Sequence, residues 1–229
     1  MKFRLAHRLC AEFLGTAFLL TAVVGSGIMG ERLSGGNVAI ALLANSIATG
    51  AALVTLIFTF GGISGAHFNP VVTLADSLSG GLARSDILPY CFAQLAGGIA
   101  GTINSHFMFG LPAITLSHHA RSGPAQFYAE IIATFGLLAV ISGCSRLRPA
   151  AIPLTVGAYI AGAYWFTSST SFANPAVTAA RCITDTFAGI RPQDVPGFVL
   201  AQFLGSTAAF LLFRWMVPSR ISAESGACR

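Results

Sequence analysis

Long apolar stretches alternate along the chain with short polar or basic segments. A helix that crosses the hydrocarbon core of a bilayer needs about 20 consecutive, mostly apolar residues. Six stretches of this kind lie at residues 9–29, 38–60, 87–109, 126–145, 151–167 and 196–217. The pattern therefore predicts an all-α membrane protein with six transmembrane helices.

Two further segments are too apolar for ordinary loops and too interrupted for full spans. They cover residues 61–83 and 168–194, and each contains an Asn-Pro pair. Asn is a favoured N-cap and Pro is common at the first helical position, so each pair marks the start of a helix. The two predicted half-helices begin at Asn69 and Asn174 and run over residues 71–78 and 176–184.

The two halves of the chain repeat one another. The string AEFLGT at Ala11 recurs as AEIIAT at Ala129, and AQLAGG at Ala93 recurs as AQFLGS at Ala201. Three spans per half is an odd number, so the halves must insert in opposite orientations and bring their half-helices together near the membrane centre. We predict one channel domain over residues 1–229, built from inverted repeats at approximately 9–109 and 126–217.

An interrupted helix inside a bilayer exposes backbone polar groups, which only protein or a water-filled cavity can satisfy. Two helix starts that meet at the membrane centre therefore indicate a pore or a binding site there. Each helix N-terminus carries about half a positive charge, so the pair would oppose the passage of cations and protons. The side-chain amides of Asn69 and Asn174 would donate to a passing hydroxyl group.

The residues before each Asn-Pro pair are predicted to be extended backbone whose carbonyl groups form a ladder of acceptors along the pore. Such a ladder, facing an apolar wall, suits small neutral solutes with hydroxyl groups. Two roles are open for one of these residues, His67: gating by protonation, or packing beside the pore, which we favour. The predicted carbonyl donors to the ladder are Gly65, Ala66, His67, Thr170, Ser171 and Phe172.

Composition supports a membrane protein, because only 9% of the residues are charged, against about 25% in a usual soluble domain. The net charge of +5 is spread over three places, so we predict no nucleic-acid partner. With six spans these places share one side, which the positive-inside rule assigns to the cytoplasm. We expect a multi-pass protein of the bacterial inner (plasma) membrane with both termini cytoplasmic. The basic residues in these three places are Lys2, Arg4, Arg8, Arg146, Arg148, Arg214, Arg220 and Arg229, which are eight of the 13 Lys and Arg residues of the chain.

The five cysteines are scattered and form no Cys-x-x-Cys pair, so we predict neither a disulfide nor a metal site. No nucleophile–base pair stands out, and we predict that the protein is not an enzyme and has no cofactor. His118 and His119 could gather metal ions beside Arg121, but a solvated loop is the preferred interpretation.

The doubled Asn-Pro motif, the SGAHFNP lead-in, the AEFLGT opening and the AQ-x-x-G segments together resemble the aquaporin (major intrinsic protein) family over residues 9–217. The resemblance implies six tilted helices, two half-helices, one pore per protomer and a homotetramer in the lipid bilayer. It also implies that Glu12 and Glu130 are buried acids that hold the Asn-Pro loops by hydrogen bonds to their backbone. The implied pore midplane consists of Asn69, Pro70, Val71, Asn174, Pro175 and Ala176.

Channels of this family select their solutes at four positions on the extracytoplasmic side. Counting from the two Asn residues, the resemblance places them at Thr49, Gly162, Ser171 and Val177, with Ala163 as the alternative to Gly162. Most members have Arg where this chain has Val177. We therefore expect a wide constriction without a fixed charge.

Such a constriction predicts a passive channel for glycerol-like polyols, urea, neutral metalloid hydroxides such as arsenous acid, and water. Thr178 stands where glycerol facilitators usually have Asp, so the chain departs from that subfamily. A strict water channel is one alternative. A secondary transporter is another, since inverted repeats with broken helices also occur there. A structural protein with a closed pore is the third, which the small side chains disfavour.

Two interpretations are open for Arg181. It lies four residues after Val177, about one turn along the half-helix, and could restore positive charge near the pore mouth. It could instead reach the membrane interface or bind a carbonyl elsewhere. Tyr164, Trp165 and Trp215 lie near span ends, where aromatic residues are ordinary in membrane proteins, and we assign them no functional role.

Overall fold

The computed structural model describes residues 3–217. Lys2, Cys228, Arg220 and Arg229 lie outside the described residues, and so does part of the predicted basic C-terminal segment. The described part is all-helical, as predicted. Its α-helices are α1 (Leu5–Leu33), α2 (Val38–Ser64), α3 (Pro70–Leu78), α4 (Ile87–Met108), α5 (Pro124–Leu147), α6 (Ile152–Phe166), α7 (Pro175–Ala180) and α8 (Val195–Met216).

Each predicted span corresponds to one long helix, although the ends differ by several residues. The first begins at Leu5 instead of residue 9, and the second continues to Ser64 instead of residue 60. Length and hydropathy alone qualify four segments of the described chain as spans: Leu5–Leu33, Val38–Ser64, Pro124–Leu147 and Pro192–Met216. Two helices are not among them, because α6 has only 15 residues and α4 includes the polar residues Gln94, Asn104 and His106.

The long helices pack closely in two corresponding groups, α1 with α2 and α4, and α5 with α6 and α8, and α2 packs against α6 where the two groups meet. Glycines make the closest approaches possible. A Cβ atom at Gly97 of α4 would collide with the carbonyl oxygen of Phe13 in α1. A Cβ atom at Gly205 of α8 would collide with the carbonyl oxygen of Ile131 in α5. Small residues at helix contacts are the usual way in which membrane helices gain van der Waals packing.

Both half-helices begin at the predicted Asn-Pro pairs. Oδ1 of Asn69 accepts from the backbone N–H of Val71 at 3.1 Å, and Oδ1 of Asn174 accepts from that of Ala176 at 3.0 Å. Helix α3 ends at the predicted residue, Leu78, and begins one residue before the predicted run, at Pro70. The second half-helix is shorter than predicted, because α7 ends at Ala180 and continues only as a 3₁₀ turn, Arg181–Ile183.

Candidate functional site

A cavity of about 490 Å³ runs through the fold between the two groups of helices. One end is lined by residues at the start of α1 and the end of α5, including Arg8 and Arg146. The middle is lined by Asn69 and Asn174, and the other end by Tyr164 and Arg181. The cavity therefore passes both Asn-Pro loops on its way between opposite ends of the molecule.

The two Asn-Pro loops hold each other at the centre of the cavity. Nδ2 of Asn69 donates to the carbonyl oxygen of Ala173 at 2.8 Å, and Nδ2 of Asn174 donates to that of Phe68 at 2.7 Å. Each Nδ2 carries two hydrogens, so one N–H of each Asn is left for the cavity. The other four predicted midplane residues, Pro70, Val71, Pro175 and Ala176, are not part of the cavity lining.

Glu12 and Glu130 occupy corresponding places, fully buried behind the two loops. Glu12 accepts from the backbone N–H groups of His67 at 3.0 Å and Phe68 at 2.7 Å. Glu130 accepts from those of Phe172 at 2.8 Å and Ala173 at 2.9 Å. Side chains add to the two sets: Gln94 and Ser64 donate to Glu12 at 2.8 and 2.6 Å, and Gln202 donates to Glu130 at 2.7 Å. Each carboxylate thus orders one loop through charge-assisted hydrogen bonds.

The prediction of extended backbone before the Asn-Pro pairs is wrong. In the first loop φ is +50° at Ala66 and at Phe68, and in the second it is +60° at Thr170, +50° at Ser171 and +47° at Ala173. These are left-handed conformations, which cost about 1–3 kcal/mol at a non-glycine residue. They occur because successive N–H groups must turn toward one carboxylate, whose hydrogen bonds offset the strain.

Five of the six residues predicted to provide pore carbonyls line the cavity, and Thr170 does not. Its hydroxyl group lies 3.4 Å from a terminal nitrogen of Arg121 instead. This contact and the hydrogen bond from the backbone N–H of Thr170 to the carbonyl oxygen of Thr167 at 3.2 Å hold the residue away from the cavity. The five that line the cavity are Gly65, Ala66, His67, Ser171 and Phe172.

Three of the four residues predicted for the constriction, Thr49, Ser171 and Val177, line the cavity, and Gly162 does not. Gly162 is exposed on the outer side of α6. Residues advance by about 100° each around a helix, so Ile160 and Tyr164 share the inner face and residue 162 lies opposite. The alternative, Ala163, is fully buried but does not line the cavity either.

Tyr164 is a polar lining residue to which the sequence interpretation assigned no role. Its side chain is only 3% exposed, and its hydroxyl group lies 3.2 Å from Oγ1 of Thr49 across the cavity wall. Because Tyr164 lies near the end of a predicted span, the sequence alone suggests an aromatic residue at the membrane interface. Tyr164 follows Ile160 by four residues, and this spacing places both on one face of the helix. That spacing could have indicated that Tyr164 faces inward.

The polar groups outside the membrane centre pair with one another. His67 lies with Nδ1 3.2 Å from Oγ1 of Thr73 and Nε2 3.5 Å from a carboxylate oxygen of Asp76. On the opposite side, His118 and Asp185 form an exposed pair at 3.0 Å, and the backbone N–H of His118 lowers the pKa of the Asp185 carboxyl. Among residues 3–217 no three His, Cys, Asp or Glu side chains gather in a way that could hold a metal ion.

Comparison with known proteins gives consistent results. The model of the major intrinsic protein family matches residues 1–167. The chain is 54% identical to aquaglyceroporin AqpS of Rhizobium meliloti, over 96% of this chain and 94% of that protein. It is 27% identical to aquaporin Z of Bradyrhizobium diazoefficiens, over 95% and 96% of the two chains. The crystal structure of the aquaglyceroporin from Plasmodium falciparum has the same fold, with a TM-score of 0.72 at 22% identity and coverage of 95% and 98%.

Proposed function

This chain belongs to the major intrinsic protein family, and on that basis we propose that it conducts glycerol-like polyols, urea, neutral metalloid hydroxides such as arsenous acid, and water. It is a multi-pass membrane protein, a channel for small uncharged solutes and not an enzyme. The identity of the solutes is the part of the proposal that experiment must decide.

One observation carries the choice of solutes: Val177, a short aliphatic residue, lines the cavity where most family members have Arg. Thr49, Ser171 and Tyr164 line the same end and supply hydroxyl groups. A solute with several hydroxyl groups can bond to these while its other face contacts Val177. Glycerol and arsenous acid each have three hydroxyl groups, and urea offers a carbonyl oxygen and two amino groups, so all three are compact, uncharged and able to form several hydrogen bonds.

The centre of the cavity suits uncharged solutes for a separate reason. Half-helices α3 and α7 both begin there, and the positive ends of their dipoles repel cations and protons. The free N–H of Asn69 and that of Asn174 can donate to a solute oxygen in passing. Glu12 and Glu130 have their oxygens occupied by hydrogen bonds to the loops, which favours passive conduction over coupling to a proton gradient.

The test is stopped-flow light scattering on proteoliposomes, comparing water, urea, glycerol and arsenous acid permeabilities for wild type and Val177→Arg. Wild type is expected to pass all four, and the Arg variant to lose glycerol and arsenous acid first, because a long side chain narrows the constriction. Val177→Met adds length without charge, so it is expected to lose glycerol and arsenous acid as well, and any further loss in Val177→Arg measures the effect of the charge. A wild type that passes water alone contradicts the proposed solute range and supports a strict water channel.

We also propose the finer arrangement of the protein in the cell. Arg4, Arg8, Arg146 and Arg148 lie at the same end of the helices, which favours a cytoplasmic location for that end in the bacterial inner membrane. The family resemblance favours a homotetramer in which every protomer has its own pore. It also favours one channel domain over residues 1–229 with inverted repeats at about 9–109 and 126–217.

A further inference from the structure

Arg181 is a fully buried cation in the wall of the cavity, and its side chain is only 2% exposed. Among residues 3–217 no carboxylate lies within ion-pair distance of it. Its Nε–H donates to the carbonyl oxygen of Ala188. Within the same part of the chain, neither terminal nitrogen has a protein acceptor, so both are available to the contents of the cavity.

The surroundings of Arg181 supply a second unpaired polar group. Ser171 also lines the cavity and is 3% exposed, yet its Oγ has no hydrogen-bond partner among the residues that the structure describes. A buried hydroxyl without a partner costs free energy unless a solute or water molecule bonds to it. The terminal nitrogens of Arg181 therefore present donors that the contents of the pore can satisfy, and the hydroxyl group of Ser171 reaches the same space only if its side chain rotates.

The Arg181 guanidinium is held by contacts on two sides. Its central carbon lies 3.4 Å from the centroid of the Phe172 ring, a close cation–π contact. The carbonyl group of Ala188 fixes the Nε end. Because Phe172 belongs to the Asn-Pro loop that Glu130 orders, the position of the charge is tied to the position of the loop.

Arg121 fixes the segment that holds Arg181. Its Nε donates to the carbonyl oxygen of Gly189 at 2.7 Å, and a terminal nitrogen donates to that of Phe187 at 3.3 Å. These two residues flank Ala188, so Arg121 orients the very carbonyl that accepts from Arg181. The Arg121 guanidinium also lies 5.0 Å from the centroid of Phe172, against the same ring.

We propose that Arg181 supplies the fixed positive charge of the constriction, and that Arg121 is its positioning residue. Most family members carry this charge on an Arg at the position that Val177 occupies here. This inference rests on the proposed function as a channel for neutral solutes. Because the charge lies on Arg181 and not on residue 177 itself, the constriction stays wide and still rejects cations. The pore then discriminates by charge between solutes of equal size and donates hydrogen bonds to those with oxygen atoms.

Urea and the free guanidinium ion test this directly, because they are planar, nearly equal in size and differ in charge. Wild-type proteoliposomes are expected to pass urea and reject guanidinium. Arg181→Gln removes the charge and is expected to raise guanidinium permeability relative to urea at least about tenfold, since a charge in a low-dielectric wall acts strongly on a nearby ion. Arg32→Gln, an exposed Arg at the same end of the molecule, is the matched control and should change nothing.

Arg121→Gln is expected to raise the same ratio, and to have no further effect in the Arg181→Gln background. That non-additivity distinguishes a positioning role from general stabilisation, which would lower all fluxes in both backgrounds. Arg181→Lys keeps the charge and should keep most of the rejection, so it continues the test should Arg181→Gln fail to reach the membrane.

The possible outcomes separate the two proposals. The role of Arg181 is overturned, and the channel function left intact, if wild type passes urea but Arg181→Gln leaves the ratio of guanidinium to urea permeability unchanged. The same conclusion follows if Arg181→Lys no longer rejects guanidinium. An additive effect of Arg121→Gln overturns only the positioning role. A wild type that passes neither urea nor glycerol overturns the proposed function and this inference with it.

Discussion

At the scale of the residue, Tyr164 is the least expected part of the cavity wall. Its hydroxyl group lies 3.2 Å from Oγ1 of Thr49, so the pair joins α6 to α2 where the constriction is proposed. Tyr164→Ala is expected to raise glycerol permeability severalfold by removing the ring. Tyr164→Phe keeps the ring and should change it by about threefold or less, because one hydrogen bond contributes about 0.5–1.5 kcal/mol.

Stopped-flow measurement of glycerol flux in proteoliposomes checks this prediction. Tyr128, which is 64% exposed on α5, provides the matched controls Tyr128→Ala and Tyr128→Phe. Equal effects of the Ala substitutions at both positions would contradict a place for Tyr164 in the conducting path.

The sequence predicts the position of some site residues correctly and of others not. The repeated motifs are sufficient to predict the places of four residues, because each lies at the same point of its motif in both halves. These residues are Asn69, Asn174, Glu12 and Glu130. Gly162 was misplaced, because a count along the chain does not give the angle at which a helix presents a residue. The left-handed backbone of the loops was missed for a related reason, since it results from contacts with a distant carboxylate.

At the scale of the element, the hydropathy pattern predicts where helices lie but not how closely they pack. The helix ends depend on capping and on packing, so α1 and α2 run beyond their apolar cores. The second half-helix is shortened to Pro175–Ala180 by the 3₁₀ turn that contains Arg181. The residue pattern from 176 to 184 does not distinguish an α-helix from a 3₁₀ turn, because small and apolar residues are compatible with both.

The contact between α1 and α4 gives a prediction at this scale. Gly97→Ala places a methyl group against the carbonyl oxygen of Phe13, and the two helices must separate. We expect a loss of about 2 kcal/mol in stability, as is typical of overpacking. Among residues 3–217, the methyl group of Gly62→Ala on α2 meets nothing within 4 Å, and this substitution should stabilise slightly or have no effect. Thermal unfolding in detergent measures both, and equal melting temperatures would show that α1 and α4 adjust freely.

At the scale of the whole molecule, the cavity passes between opposite ends of a single chain, inside its own helices. Each protomer of the proposed tetramer should therefore conduct independently. We expect glycerol permeability to fall in proportion to the fraction of Val177→Arg chains when they are co-expressed with wild type. A much steeper fall would mean that protomers share a pore or change conformation together.

The reciprocal bonds between the two Asn-Pro loops have a consequence for biosynthesis. The ribosome completes Glu12, His67 and Phe68 long before Ala173 exists, so the first loop can be ordered by its own half of the chain. The bond from Asn69 to Ala173 spans 104 residues and must wait for the second half to enter the membrane. A nascent chain therefore has an unpaired Asn69 amide until translation is nearly complete, and the permeation path closes into its final form only as the two halves meet.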